Sequence, residues 1–406
     1  MTQLVLRSSP SDPAGTPAAG STTYDAVGQS WLRGSSEVSR NHPIRKAGTF
    51  SNLYVKVTSN NRGAGTVRFR KNSANGNQSV SIPASTTGEF VDTVNTDTIV
   101  SGDAVAYQTV MGSGGTVCNI LNIQTLFEVT GPAFTPLICN TAGTTANGEN
   151  VTRSYPVGGA AQTQTKGAEA ALRSRSAGTL SGLYVRLSAN TRTSTSTWKS
   201  RINGADGAQS VSIGAAATGS FEDVTNTDTI AVGDSIMTAV ALGAGFGSLT
   251  PQVHGLSFET STGGAHPLPG TVSSGAGLSI TTSVVYLMPG PGFMATGTEA
   301  NHSIKPKMAV RASGLGAYIT NGSVSDTVTF TVRKNGADTA LAFTSLGGVT
   351  GWFENITDEV TFDAEDDQAI AVSRNAGSAA ITVPTFRVIY NGDVVSEGWI
   401  ITGQIL

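Results

Sequence analysis

Histidines are the first side chains of this sequence that could bind a metal ion. No two of the four are two or four residues apart, the spacings that direct two imidazole rings at one metal from a strand or a helix. Each is therefore expected to be a surface or loop residue, and no zinc site is predicted. The histidines are His42, His254, His266 and His302.

Cys118 and Cys139 are the only thiol side chains in the 406 residues, so a disulfide-stabilised scaffold is excluded. A bond between them requires Cα atoms about 6 Å apart, a distance that the sequence alone does not determine. We expect two partly buried free thiols.

Acidic residues recur at matching positions of the first two thirds of the chain. Carboxylates in β-turns could bind Ca²⁺ through their oxygens, but Asp is also an ordinary turn residue whose side chain accepts hydrogen bonds from nearby backbone amides. The turn interpretation is favoured, and no metal site is predicted. The residues are Asp92, Asp97 and Asp103, repeated as Asp223, Asp228 and Asp234.

Motifs of common enzymes are missing: there is no Gly-x-Ser-x-Gly, no Walker loop and no His-Glu-x-x-His. The run from Glu354 to Asp367 could supply two carboxylates of a glycoside hydrolase, but nothing sets their separation at about 5 or 9 Å. We therefore predict a protein that is not an enzyme, with no catalytic residue, no cofactor-binding residue and no cofactor. A hydrolase is the minor alternative.

Charge is unevenly distributed along the chain. Residues 1–75 carry ten Lys and Arg against three acids, whereas residues 351–406 carry nine acids against two Arg. Such polarity could steer the basic end onto an acidic partner, although solvated strand faces are the ordinary explanation. Direct nucleic-acid binding is not predicted, because the basic residues are not interleaved with stacking aromatics and the net charge is only −3.

The elements that carry these residues are arranged in three copies of one unit. Three sequence blocks recur in the same order at offsets near 130 residues, which is the size of an independent domain. We predict domains over 1–130, 131–260 and 261–406, with an arm in the first 45 residues that docks on a neighbouring molecule and an extension at the C-terminus. The blocks are 47–55, 177–185 and 312–319; 78–82 and 209–213; and 87–92, 218–223 and 350–355.

Apolar residues alternate with polar ones within each copy, as in strands with one buried face. Asn203-Gly204 and Asn335-Gly336 stand between two such runs and predict tight hairpins. About seven or eight short strands per copy indicate an all-β chain of three tandem antiparallel β-sandwiches. A jelly roll is preferred to an immunoglobulin fold because the Cys, Trp and Cys signature is missing.

Aromatic residues do not form an obvious platform for sugar rings. The four tryptophans occupy non-equivalent positions, whereas Tyr54, Tyr184 and Tyr318 recur in the first block and are expected to be structural. The tryptophans are Trp31, Trp198, Trp352 and Trp399.

The run from Thr329 to Leu341, with its Arg-Lys-Asn-Gly turn, followed by Thr350-Gly351-Trp352-Phe353, resembles β-sandwich modules of tailed-bacteriophage structural proteins. The resemblance covers the core of each copy and implies a virion protein of the capsid decoration type, or a tail or fibre component. The first and second copies depart from it, with Asn72-Ser73 in place of Asn-Gly and Ile202 in place of Lys.

The sequence thus leads to a non-enzymatic phage structural protein, a capsid decoration or cement protein that binds the outer shell and neighbouring copies. The expected partners are the major capsid protein or another virion protein and further copies of this chain. No membrane association is expected, because no stretch of about 18 apolar residues occurs. No secretory signal is visible, and we expect assembly in the host cytoplasm and a place on the virion. The alternative is a receptor- or glycan-binding module of a tail fibre or a bacterial surface protein.

Overall fold

The computed structural model describes most of the chain, and its described parts are almost entirely β-strand. No α-helix occurs within them, and two single-turn 3-10 helices lie at Glu37–Ser39 and Glu299–Asn301. The described residues are 2–8, 19–28, 33–141, 145–160, 171–261, 265–271, 278–280, 284–287, 289, 297–301, 303–306, 308–321, 326–375 and 381–391.

The strands between residues 2 and 129 form two sheets, which we call module 1. The first sheet has the order β1-β9-β4-β7 and the second the order β2-β8-β5-β6, with β3 paired to β8. The strands are β1 (Thr2–Ser8), β2 (Thr22–Ala26), β3 (His42–Pro43), β4 (Gly48–Asn60), β5 (Gly65–Lys71), β6 (Ala74–Ile82), β7 (Gly88–Ile99), β8 (Ala104–Met111) and β9 (Cys118–Val129).

Module 2 repeats this arrangement between residues 134 and 260. Its strands are β10 (Phe134–Asn140), β11 (Ala146–Asn147), β12 (Thr152–Tyr155), β13 (Gly159–Ala160), β14 (Leu172–Arg173), β15 (Gly178–Asn190), β16 (Ser196–Ile202), β17 (Ala205–Ile213), β18 (Gly219–Ile230), β19 (Ser235–Ala241) and β20 (Ser248–Thr260). The first sheet runs β13-β10-β20-β15-β18 and the second β12-β19-β16-β17, while β11 pairs with β20 and β14 with β19.

Module 3 lies between residues 265 and 391. Its strands are β21 (Ala265–Thr271), β22 (Leu278–Ile280), β23 (Val285–Leu287), β24 (Val310–Asn321), β25 (Val328–Lys334), β26 (Ala337–Thr344), β27 (Gly351–Asn355), β28 (Val360–Phe362), β29 (Gln368–Arg374) and β30 (Ile381–Asn391). The first sheet runs β21-β30-β24-β27 and the second β23-β29-β25-β26, while β22 pairs with β30 and β28 with β24.

All three modules share the topology of a jelly roll. If the eight main strands of a module are counted along the chain, the first sheet has the order 1-8-3-6 and the second 2-7-4-5. The pairings of the main strands are antiparallel, and this order is that of a double Greek key in two packed sheets. The predicted fold of three tandem antiparallel jelly-roll sandwiches is confirmed.

The same hairpin turn joins the fourth and fifth main strands of every module. Asn203 and Gly204 have φ of 51° and 80°, as a two-residue turn between twisted strands requires. The predicted Asn-Gly hairpins are present, and Asn72 and Ser73 adopt the same turn in module 1, with φ of 49° and 64°.

The first 45 residues were expected to form a docking arm. Over their described part this expectation is wrong, because β1 pairs along its whole length with β9 and β2 pairs with β8. Leu4 and Leu6 are buried in the core of module 1. These residues therefore complete the sandwich of their own chain.

Each core is packed from the inward faces of both sheets. The third residue of the fourth main strand is Val67, Trp198 or Phe330 in the three modules, and each of these side chains is fully buried. Trp198 stacks on Tyr155 with ring centroids 4.7 Å apart, and Phe330 stacks on Phe343 at 5.0 Å. The three modules thus direct the same strand position into the core, and they differ in the side chains that fill the core volume.

The modules contact one another head to tail in a closed ring. Arg45 of module 1 forms an ion pair with Glu222 of module 2, and Arg175 of module 2 donates to Glu354 of module 3 over 2.9 Å. Arg45 and Arg175 precede the third main strand of their modules by the same three residues, and the two glutamates lie at the same position of the sixth strand. The second contact therefore repeats the first.

The third contact returns from module 3 to module 1 and closes the ring. Lys56 donates to the backbone oxygen of Ser303 over 2.9 Å, and Lys305 lies 3.6 Å from a carboxylate oxygen of Glu89. Ile304 packs on Leu121. Each module thus touches both others, and the chain has the contact pattern of a cyclic trimer within one polypeptide.

Candidate functional site

Two histidines lie in the interior, whereas all four were expected to be surface or loop residues. His42 is buried between modules 1 and 2, edge-on to Tyr184 with ring centroids 5.4 Å apart. His254 is buried in module 2 beside Trp198 and Tyr155. Burial lowers the pKa of His254 to about 3, and burial together with the nearby Arg45 charge lowers the pKa of His42 to about 3. Both are packing residues, and the side chains of His266 and His302 lie outside the described residues.

The two cysteines are free thiols, as expected, and both are fully buried. Burial raises the pKa of Cys118 and raises that of Cys139 well above the ordinary value, so each is held in the unreactive thiol form.

Four of the recurring aspartates serve as turn residues, whereas Asp97 and Asp228 lie within β7 and β18 and accept hydrogen bonds from the neighbouring strand. Oδ1 of Asp223 accepts hydrogen bonds from the backbone amides of Thr225 and Asn226, and Oδ2 accepts one from Ser210 over 2.9 Å. Burial alone would raise the pKa of Asp223, but these N–H donors hold it far below its usual value. Asp92 makes the same contacts in module 1. Carboxylates surrounded by N–H donors are poorly placed to bind a cation.

The acidic run from Glu354 to Asp367 is divided among separate ion pairs. Glu354 faces Arg175 between modules 2 and 3, whereas Asp366 lies 2.8 Å from Lys334 and caps a turn within module 3. No group of three or more His, Cys, Asp and Glu in the described part of the chain could hold a metal ion.

Several of the unevenly distributed charges are paired inside the molecule. Arg45 and Lys46 of the basic end bind Glu222 and Glu259 of module 2, the latter over 2.8 Å. Basic residues of the first 75 thus help to hold module 1 against module 2. None of the helices in the described residues is both long and apolar enough to cross a membrane.

Trp352 and Tyr318 form an aromatic pair that lines a cleft. Their rings are perpendicular, with centroids 6.3 Å apart, and the two residues are directly opposite on β27 and β24. This register corrects the sequence alignment: Leu315 takes the place of Leu53, so Tyr318 lies two residues beyond the position of Tyr54. Trp198 is a core residue, and Trp31 and Trp399 lie outside the described residues.

The cleft between modules 2 and 3 is the main candidate binding site. It has a volume of about 650 Å³ and lies between the second sheet of module 2 and the first sheet of module 3. Such a volume is typical of small-ligand sites. Its principal lining residues are Thr152, Ser154, Arg201, Asn203, Tyr318 and Trp352.

No aromatic platform was predicted from the sequence, because the platform of Trp352 requires Tyr318 on a neighbouring strand and the polar side chains of another module. No protein-family model matches the chain, and no curated protein matches it significantly. Function is therefore argued from the geometry alone.

Proposed function

We propose that this chain is a non-enzymatic structural protein of a tailed-phage particle, a decoration or cement protein that binds the outer capsid shell. The observation that carries the proposal is the closed ring of three jelly rolls in one polypeptide. Jelly rolls are common in viral capsid and lectin domains. Its partners would be the major capsid protein and neighbouring copies, and its place would be the virion, after assembly in the host cytoplasm.

A ring of three similar modules matches the symmetry of a shell. Icosahedral shells present the same surface three times around each threefold or local threefold position, and a ring with three similar faces can contact all three at once. Simultaneous contacts raise the overall affinity well above that of a single module. One chain would then occupy a position surrounded by three capsid subunits.

Each module exposes an aliphatic side chain beside its turn-forming Asp or Asn. These residues are candidates for binding because all three modules carry one at this turn, as contact with three similar capsid surfaces requires. They are Val94, Val224 and Ile356, with exposed fractions of 85%, 57% and 56%.

The location is tested by mass spectrometry of purified particles together with immunogold labelling and cryo-electron microscopy of particles with and without the chain. We expect density from the chain over threefold or local threefold positions of the capsid. Absence of the chain from particles, or its confinement to the tail, contradicts the proposal.

The binding face is tested by replacing Val94, Val224 and Ile356 with Asp in one variant. We expect binding to chain-free capsids to fall strongly, because three buried contacts are lost together. The matched control replaces Val100, Val232 and Leu346 with Asp in one variant, at residues that are 61%, 59% and 64% exposed at other places of the three modules. Equal binding of both variants contradicts a role for these turns.

A further inference from the structure

The cleft between modules 2 and 3 differs from the equivalent places of the other two contacts. One pair of opposite residues on the third and sixth main strands is Lys56 and Glu89 in module 1, Arg186 and Ser220 in module 2, and Tyr318 and Trp352 in module 3. The same strand positions therefore carry polar residues in two modules and aromatic residues in the third.

One of the two polar pairs holds the ring together, and the other forms a hydrogen bond within its own module. Lys56 and Glu89 bind Ser303 and Lys305 of module 3, and Arg186 donates to Ser220 over 3.1 Å. Contact between modules thus does not require aromatic residues at these positions. The aromatic pair of module 3 calls for a different explanation.

The cleft combines an aromatic surface with hydrogen-bonding groups on the opposite wall. Trp352 is only partly buried, while Thr152 and Ser154 lie on the same face of β12 across the cleft. Sugar rings present apolar C–H faces to aromatic rings and hydroxyl groups to polar side chains, which is the combination that this cleft offers.

The charges around the cleft are already balanced. Arg201 forms an ion pair with Asp206 over 2.6 Å, and the side chain of Asn203 donates to Asp234 over 2.7 Å. Because Asp206 already neutralises Arg201, this arginine adds little attraction for an anionic ligand. The cleft therefore favours an uncharged ligand.

We propose that the cleft between modules 2 and 3 binds neutral oligosaccharide, with Trp352 and Tyr318 as the aromatic platform and Thr152 and Ser154 as hydrogen-bonding partners. This activity goes beyond capsid attachment and would let a decorated particle adhere to a glycan-bearing surface. It does not depend on where the chain lies on a particle.

The test applies the purified full chain to a printed array of neutral and acidic oligosaccharides, followed by titration of the best-bound one with isothermal titration calorimetry as the readout. We expect binding to neutral oligosaccharides, weakened roughly tenfold or more by Trp352→Ala. Thr152 is an exposed residue at the rim of the cleft, so Thr152→Trp fills the cleft without removing packing. This variant is expected to weaken oligosaccharide binding as much as Trp352→Ala does.

The matched control is Phe246→Ala, which removes an aromatic ring that is 77% exposed on the loop between β19 and β20. It is expected to leave binding unchanged. Thermal unfolding followed by circular dichroism verifies that each variant is folded. The proposal is overturned if no neutral oligosaccharide binds, if only acidic ones bind, or if folded Thr152→Trp binds as tightly as the parent chain.

Discussion

His42 and His254 are uncharged in the folded protein because burial holds the pKa of each near 3, whereas an unfolded chain has a histidine pKa of 6.5. Below pH 6.5 the unfolded state therefore binds protons that the folded state does not. The free energy of unfolding falls by about 1.4 kcal/mol per pH unit for each histidine in this range. The stability that they contribute is complete above pH 6.5 and decreases as the pH falls towards 3.

Replacing His42 with Leu tests this effect at one residue. Modules 2 and 3 carry Leu172 and Ile304 at the equivalent position, so an aliphatic side chain suits it. We expect urea unfolding between pH 6.5 and 4.5 to show a dependence on pH that is smaller by about 1.4 kcal/mol per pH unit than in the parent chain. An unchanged dependence would show that His42 is protonated in the folded state.

Asp223 anchors the turn in the sixth strand of module 2 through backbone amides. Asp223→Ala leaves those partly buried donors without their acceptor and is expected to cost about 1–3 kcal/mol at pH 7. Because the pKa of Asp223 is lowered in the folded state, the loss should shrink as the pH falls below the ordinary value of 3.8. The control is Asp206→Ala, which removes two surface ion pairs, with Lys199 and with Arg201, and should cost about 1 kcal/mol or less in the same denaturation assay.

At the scale of elements, the recurring Ala-Gly-Thr block marks the start of the third strand in modules 1 and 2, where it passes very close to the eighth. A Cβ on Gly178 would lie 2.8 Å from the Phe258 ring and still closer to the backbone oxygen of Glu259. Gly48 is equally crowded in module 1. The glycine is thus required by the close approach of two strands.

Gly178→Ala is expected to destabilise the chain by about 1–3 kcal/mol, because a backbone oxygen cannot move away cheaply. The control is Gly214→Ala, where an added Cβ meets no atom within 4 Å. That variant should be neutral or slightly stabilising, since alanine restricts the unfolded chain. The melting temperatures of the two variants are compared by thermal unfolding. Equal values would contradict the close approach of the strands at Gly178.

Across the whole molecule, the three modules form a closed unit whose stability includes the contact from module 3 back to module 1. A compact chain of 406 residues has a radius of gyration of about 22 Å, well below that of three modules strung out in a line. Small-angle X-ray scattering is expected to give the compact value.

Lys305→Glu tests the closing contact, because it places a third carboxylate beside Glu89 and Glu365. We expect faster hydrogen exchange around Ile304 and Leu121 in the variant. Lys199→Glu is the control, since Lys199 pairs with Asp206 on the exposed surface of module 2. Identical exchange in both variants would show that the contact does not depend on this charge.

The sequence by itself determined the triplication, the all-β class, the hairpins and the jelly-roll sandwich, because these depend on alternation and turn residues that are close together in the chain. It was wrong about His42, since a strand pattern does not tell which faces a neighbouring module covers, and about His254, whose ring packs among the aromatic side chains of the module 2 core. The described part of the first 45 residues was misassigned for a similar reason: β1 finds its partner, β9, more than 100 residues away.

Only the tertiary structure decided that the modules close into a ring and that Trp352 meets Tyr318 beside the polar wall of module 2. Both features depend on the relative placement of surfaces from different modules. Such surfaces are related by rigid-body packing rather than by spacing along the chain. Local pattern therefore determined each sandwich, and long-range packing determined the cleft.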